Sequence, residues 1–147
     1  AMAYSDEELL ARLIQCEAGG GGDTGMKAVA SVVMNRVEAS EGEYARVGQG
    51  SIRRIIFQQG QFTCAMETVG GKYNPQNIYN MRPEEIHYEI AQWAMAGNRV
   101  TGLGRALWFF NPYQPTCRQN FPSEVGVFTT RIGDHCFYDP TPAYNDT

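Results

Sequence analysis

Long apolar runs are missing from this 147-residue chain, and with them the stretch needed to cross a bilayer. Clustered lysine and arginine are missing as well. With a net charge of -4 and no basic tract, the chain is not built for a nucleic-acid backbone as its main partner, and an uncharged or mixed polymer suits it better. Cys16, Cys64, Cys117 and Cys136 contain no CxxC pair, which disfavours a zinc ribbon or a thioredoxin-type site. Two disulfides or four free thiols both satisfy that count. No cofactor is expected, and no metal. The Ala-Met-Ala start has neither a basic n-region nor an apolar h-region, so a signal or targeting segment is expected to lie outside this chain.

What is present is the make-up of an ordinary globule, 43% hydrophobic and 19% charged, at a length that fits one domain. Ser5 with Glu8 three residues on forms a capping box, and the helix it opens should end at Gly19 to Gly22. A second helix is expected after Asp23 or Thr24, with Met26, Val29, Ala30, Val33 and Val37 on one stripe and Ala28 and Val32 off it, the mark of a central helix buried on most sides. Glu38 to Gly50 reads as a loop, and Ser51 should cap a short helix through Ile52, Ile55 and Ile56. Gln58 to Gln76 has no steady period and reads as an ordered surface segment. A third long helix should open at Pro83, bury Ile86, Ile90, Trp93 and Ala94, and stop at Gly97. Beyond Gly104, the runs 106–110, 126–132 and 135–138 are short, aromatic and β-branched, as in a small antiparallel sheet. The expected class is α+β, with a helical N-terminal part packed on that sheet in a single domain over 1–147, its core at about 5–139.

One residue stands out within this plan. Leu10, Leu13, Ile14 and Glu17 share helical spacing, which puts an acid on the apolar stripe directly before four glycines. A carboxyl held among apolar neighbours has its pKa raised toward the range in which it donates a proton near neutrality. The alternative is a surface glutamate in a fraying last turn.

The segment Leu10-Ala-Arg-Leu-Ile-Gln-Cys-Glu17-Ala, followed by Gly25 and Ala28-Val-Ala-Ser-Val-Val-Met-Asn35-Arg36-Val, resembles the opening of the SleB/CwlJ-type cell wall hydrolases, the spore-cortex-lytic enzymes. Later blocks follow in the same order: Ile56-Phe-Gln58 with Gln61-Phe62, Ala106-Leu-Trp-Phe-Phe110-Asn111-Pro112, and Ile132-Gly133-Asp-His135-Cys-Phe137. The resemblance covers about Leu9 to Tyr138. It implies a fold similar to lytic transglycosylases, and a glycosidase that cleaves the β-1,4 bond between N-acetylmuramic acid and N-acetylglucosamine in peptidoglycan. It also implies Glu17 as the catalytic acid, and an extracytoplasmic place in the cell wall or spore cortex and coat. Spore relatives act on cortex carrying muramic-δ-lactam, and other relatives occur outside spores. One departure is plain: the family pattern Glu-Ala-Arg-Gly-Glu has Gly19 and Gly21 here in place of its arginine and second acid. Glycan strands are the expected partner, with an accessory spore protein as a further one, for a monomer without membrane insertion.

An ordinary glycoside hydrolase needs a second carboxylate, for which Asp23, Glu67 and Asp134 are candidates. A lytic transglycosylase avoids that need, because the muramic acid 6-hydroxyl attacks its own anomeric carbon while one glutamate serves as acid and then base. Gln58, Gln61 and Asn111 are expected to hold sugar hydroxyl or acetamido groups, and Phe62, Phe110 and Tyr138 to offer flat faces to pyranose rings. The same aromatics also suit a core, Asn111-Pro112 a turn, Asn35 and Arg36 a cap and ion pair, and His135 a structural role. Two other readings stand beside this one. The first is a cysteine-nucleophile amidase or peptidase using Cys16 or Cys64 with His135, and the second a non-catalytic glycan-binding module. If disulfides form, Cys117 with Cys136 is the favoured pair, since both lie in the β-rich part.

Overall fold

The computed structural model describes residues 4–147, and its first helix begins at the expected cap. Ser5 Oγ accepts the Glu8 N–H at 3.1 Å, and α1 runs Asp6–Ala18 with Leu9, Leu10, Leu13 and Ile14 fully buried. After the glycines, α2 spans Gly22–Val37, and every residue from Ala28 to Val37 is buried, as a central helix requires. It packs on α1 and on a later helix, Glu85–Met95.

Where a loop was expected between Glu38 and Gly50, a short helix forms, α3 at Gly42–Gly48. Seven residues are too few to be helical on propensity alone. The helix exists because Tyr44 drops its ring into the core, and its N–H donates to Tyr144 Oη at 3.0 Å, a hundred residues away. Ser51 caps α4, Ile52–Ile56, through the Arg54 N–H. The irregular segment beyond it holds a 3-10 turn at Thr63–Ala65 and a two-residue hairpin, β1 Thr68–Val69 with β2 Lys72–Tyr73. Gly70 and Gly71 both take positive φ, 61° and 81°, the pair that a tight hairpin turn of this hand demands.

Helix α5, Glu85–Met95, starts two residues after Pro83 and is capped by Glu84, whose N–H donates to His87 Nδ1 at 2.9 Å. Its buried stripe is His87, Ile90, Ala91 and Ala94. Ile86 is 37% exposed, which corrects that expected core position, while Trp93 is half-buried, packed against the core with Lys27 Nζ 5.4 Å from its ring centroid. The stripe is turned by one residue because the His87 cap fixes the first turn against the core.

Three antiparallel strands follow, β3 Trp108–Phe110, β4 Gly126–Ile132 and β5 His135–Pro140, in the order β3-β5-β4. One apolar core joins the helices to the sheet, since Trp108, Cys136 and Tyr138 belong to the same buried cluster as α1, α2 and α5. The class is therefore α+β. The bridges are Cys117–Cys136 and Cys16–Cys64.

Candidate active site

Glu17 lies in the last turn of α1, half-buried, at the wall of a cleft of about 560 Å³. Gly20, Gly21 and Gly25 form one side of that cleft. A methyl group on Gly20 or Gly25 would meet nothing within 4 Å, so the space before the carboxyl is open to a ligand. The other side comes from the sheet: Asn111 just past β3, and Gly133, Asp134 and His135 in and after the β4–β5 turn. Helix end and hairpin tip thus face each other across the acid.

Burial pushes the Glu17 carboxyl above its ordinary pKa, and the Cys64 backbone amide and the Arg36 guanidinium pull the other way without cancelling it. The carbonyl end of α1 adds to the upward push, because a helix C-terminus repels a carboxylate. Burial holds His135 below its usual range while Asp134 opposes that shift, and the imidazole sits edge-on to Phe109 at 5.3 Å. His135 is accordingly neutral at neutral pH.

Arg36 is a buried cation whose charge opposes the upward push on Glu17. Its Nε donates to the Leu107 carbonyl at 2.7 Å and its Nη1 to Gln61 Oε1 at 3.3 Å, and its guanidinium lies over the rings of Tyr44 and Phe62 at 4.7 and 4.9 Å. Gln61 Oε1 also accepts the Tyr44 hydroxyl at 2.8 Å. Asn35 next to it donates to the carbonyls of Leu103 and Ala106 and accepts from Arg99.

Of the residues expected to bind sugar, only Asn111 lines the cleft with Glu17. Phe62 is 3% exposed and covered by Arg36, and Tyr138 is fully buried with its hydroxyl donating to the Arg118 carbonyl at 2.7 Å. Neither presents a free face at the cleft that holds Glu17. Phe110 is held in a stack with Phe121 at 4.2 Å and Tyr138 at 5.8 Å, on the core side of its strand. Gln58 donates to Glu43 at 2.7 Å, and Gln61 serves Arg36 and Tyr44, so both glutamines are bound to protein, away from the cleft. The cleft instead adds Thr24, Asp134 and His135, of which Thr24 carried no signal beyond its place three residues into the helix after the glycines.

Both disulfides leave no free thiol among the described residues, so the cysteine-nucleophile reading is overturned: neither Cys16 nor Cys64 can supply a thiolate. Among the three candidate second carboxylates, Asp23 pairs with Lys27 at 3.0 Å, Glu67 is exposed outside the cleft, and Asp134 alone shares it with Glu17. No cluster of three or more metal-ligating His, Cys, Asp or Glu side chains occurs among the described residues. No helix among them is long and apolar enough to cross a membrane.

The family profile described as Cell Wall Hydrolase matches residues 20–138. The cell wall hydrolase CwlJ of Halalkalibacterium halodurans is 31% identical over 139 residues, 94% of this chain and 87% of that protein. CwlJ of Bacillus subtilis is 31% identical over 137 residues, 93% of this chain and 87% of that protein. Among solved structures, the catalytic domain of the germination-specific lytic transglycosylase SleB from Bacillus anthracis superposes with a TM-score of 0.64 at 26% identity, covering 95% of this chain and 99% of that one. The SleB catalytic domain of Bacillus cereus gives 0.62 at 26% identity, over 95% and 94%. With an acid at the end of α1 facing a hairpin across an open cleft, and these matches along nearly the whole length, the chain belongs to the cell wall hydrolase family and has the lysozyme-like α+β fold of the SleB catalytic domains.

Proposed function

We propose that the chain is a single catalytic domain that cleaves the β-1,4 bond between N-acetylmuramic acid and N-acetylglucosamine in peptidoglycan, as a lytic transglycosylase with Glu17 as acid and then base. The observation that carries this reading is the Glu17 carboxyl, raised by burial and facing an open cleft. In the first step the protonated carboxyl gives its proton to the leaving glycosidic oxygen, and the bond to the anomeric carbon breaks. In the second, the Glu17 carboxylate takes the proton of the 6-hydroxyl as that oxygen bonds to the anomeric carbon, leaving a 1,6-anhydro end. No water is consumed. Opposed influences on Glu17 suit both halves, since burial keeps the proton available and Arg36 with the Cys64 amide stabilises the carboxylate in between.

Asn111 is the proposed sugar contact, since Gln58, Gln61, Phe62, Phe110 and Tyr138 do not line the cleft that holds Glu17. Two disulfides suit an oxidising compartment, which supports an extracytoplasmic place in the wall or spore cortex. Asp134 in the same cleft favours one second reading, hydrolysis with Asp134 activating water. Mass spectrometry of digested peptidoglycan tests both. Anhydro muropeptides that vanish with Glu17→Gln in a folded variant are the expected result. Reducing ends would replace transglycosylation with hydrolysis, and released stem peptides or no products at all would overturn the glycosidase reading.

A further inference from the structure

Asn111 and His135 reach the cleft from neighbouring strands at one level of the sheet. Phe109 stands opposite Phe137 and Phe110 opposite Cys136 in the β3–β5 ladder, so Asn111 and His135 fall side by side where that ladder ends, on the same face as Phe109 and Phe137. Phe137 anchors this face on α2 through Ala28 and Val32. The imidazole packs against both rings, edge-on to Phe109 at 5.3 Å and to Phe137 at 6.4 Å. Packing therefore holds its plane, and among the described residues no group donates to or accepts from its nitrogens. Asn111 is held by a hydrogen bond instead. Its Oδ1 accepts the Tyr113 N–H at 2.8 Å, which leaves Nδ2 as the end of the amide without a protein partner. The buried side-chain polar atoms that lack partners lie elsewhere, on Gln15, Gln58 and Asp139, so the unused nitrogens of half-buried Asn111 and His135 stand open.

A side-chain amide donates through Nδ2, and a neutral imidazole has one donor and one acceptor nitrogen. The pair thus sets a donor beside an acceptor at the wall facing Glu17. No Lys or Arg lines the cleft, so nothing there matches a carboxylate, whereas a neutral secondary amide complements both groups. We propose that Asn111 and His135 clasp the acetamido group of the sugar bound across from Glu17, the Asn111 amide donating to its carbonyl oxygen and the His135 imidazole accepting from its N–H. His135 is then a substrate-binding residue that reads N-acetylation, and it takes no part in proton transfer. The clasp rests on the reading of this cleft as a peptidoglycan site, and a binding measurement separates the two.

The experiment measures binding in the Glu17→Gln background, which separates affinity from turnover. The probes are soluble peptidoglycan glycan strands and the same strands after removal of their N-acetyl groups. His135→Phe keeps a ring to pack on Phe109 and Phe137 and removes both nitrogens, while His135→Gln returns a polar side chain to the position. Circular dichroism and thermal melting check that each variant is folded. On acetylated strands His135→Phe is expected to bind roughly tenfold more weakly than its parent, the scale of one hydrogen bond, and His135→Gln to recover part of that loss. On de-N-acetylated strands His135→Phe and its parent are expected to bind equally. Comparing variant with parent on one kind of strand cancels the charge that the freed amine adds. An equal loss on both kinds of strand in folded His135→Phe, or no loss on either, overturns the proposal. Absence of binding by the parent overturns it as well. An acetyl-dependent loss in a protein whose wild type releases nothing from peptidoglycan upholds the clasp and overturns the glycosidase reading, and anhydro products without that loss do the reverse.

Discussion

Glu17 carries opposing demands in one side chain, and its titration links chemistry to stability. Its folded pKa lies above its ordinary value of 4.5, so the folded chain keeps the proton to higher pH than the unfolded chain does. Stability then falls as pH rises from about 4.5 through the raised folded value, and the loss persists above it. Glu17→Gln removes that penalty. The variant should melt higher than the wild type at pH 7 and at the same temperature near pH 4, while turnover drops by at least about a hundredfold, the usual scale for a lost general acid. Differential scanning calorimetry at the two pH values checks the first half, and a turbidity assay checks the second. Equal melting temperatures at pH 7 would mean that the carboxyl is better solvated than its cleft implies. With Glu17 in its proposed role as the acid, the same titration should shape the activity profile, with turnover expected to fall on the alkaline side as Glu17 loses its proton.

Helix α2 ends in a pair of residues that hold the sheet in place. Asn35 donates to the carbonyls of Leu103 and Ala106, Arg36 to that of Leu107, and these three carbonyls lead directly into β3 and so to Asn111 in the cleft. In place of the cap and ion pair that their positions in the sequence suggest, Asn35 and Arg36 tie two elements together across about seventy positions. Asn35→Ala leaves two buried carbonyls without donors and frees Arg99 from one partner, which should cost about 1–3 kcal/mol, read as a lower midpoint in urea with an unchanged slope. A slope that changes would show that the segment unfolds apart from the rest. The turned stripe of α5 makes a related point. Apolar spacing located the helix, but its rotation depended on the His87 cap, a contact that periodicity does not see.

Taken as a whole, the molecule is a helical half and a small sheet sharing one core, with a disulfide stapling each. The loop-closure relation assigns about 4 kcal/mol to a bridge spanning 48 residues and about 3 kcal/mol to one spanning 19. Against a usual domain stability of about 5–15 kcal/mol, either loss alone leaves a folded chain at low temperature, and both together bring it close to unfolding. Urea titrations of the two single-bridge variants and the doubly reduced protein check this order, with the Cys16–Cys64 variant expected to be the weaker of the two. A reduced protein as stable as the oxidised one would place the stabilisation elsewhere.

Local signals in the amino-acid sequence determined the first two helices, the Ser51-capped turn, the three strands and the acid at the end of α1. Each rests on residues within a turn or a hairpin of one another, where caps, glycines and apolar spacing act directly. The family blocks were legible for the same reason, as short ordered runs. Tertiary structure decided what depends on residues far apart. Tyr144 made α3 a helix by meeting Tyr44, Arg36 engaged Gln61 and Phe62, and Cys16 found Cys64. The cleft itself belongs to this second group, because its walls are the glycines after α1 and the turn before His135, more than a hundred positions apart. A chain position states which groups are available, and only packing settles which of them a buried polar atom or a thiol will meet.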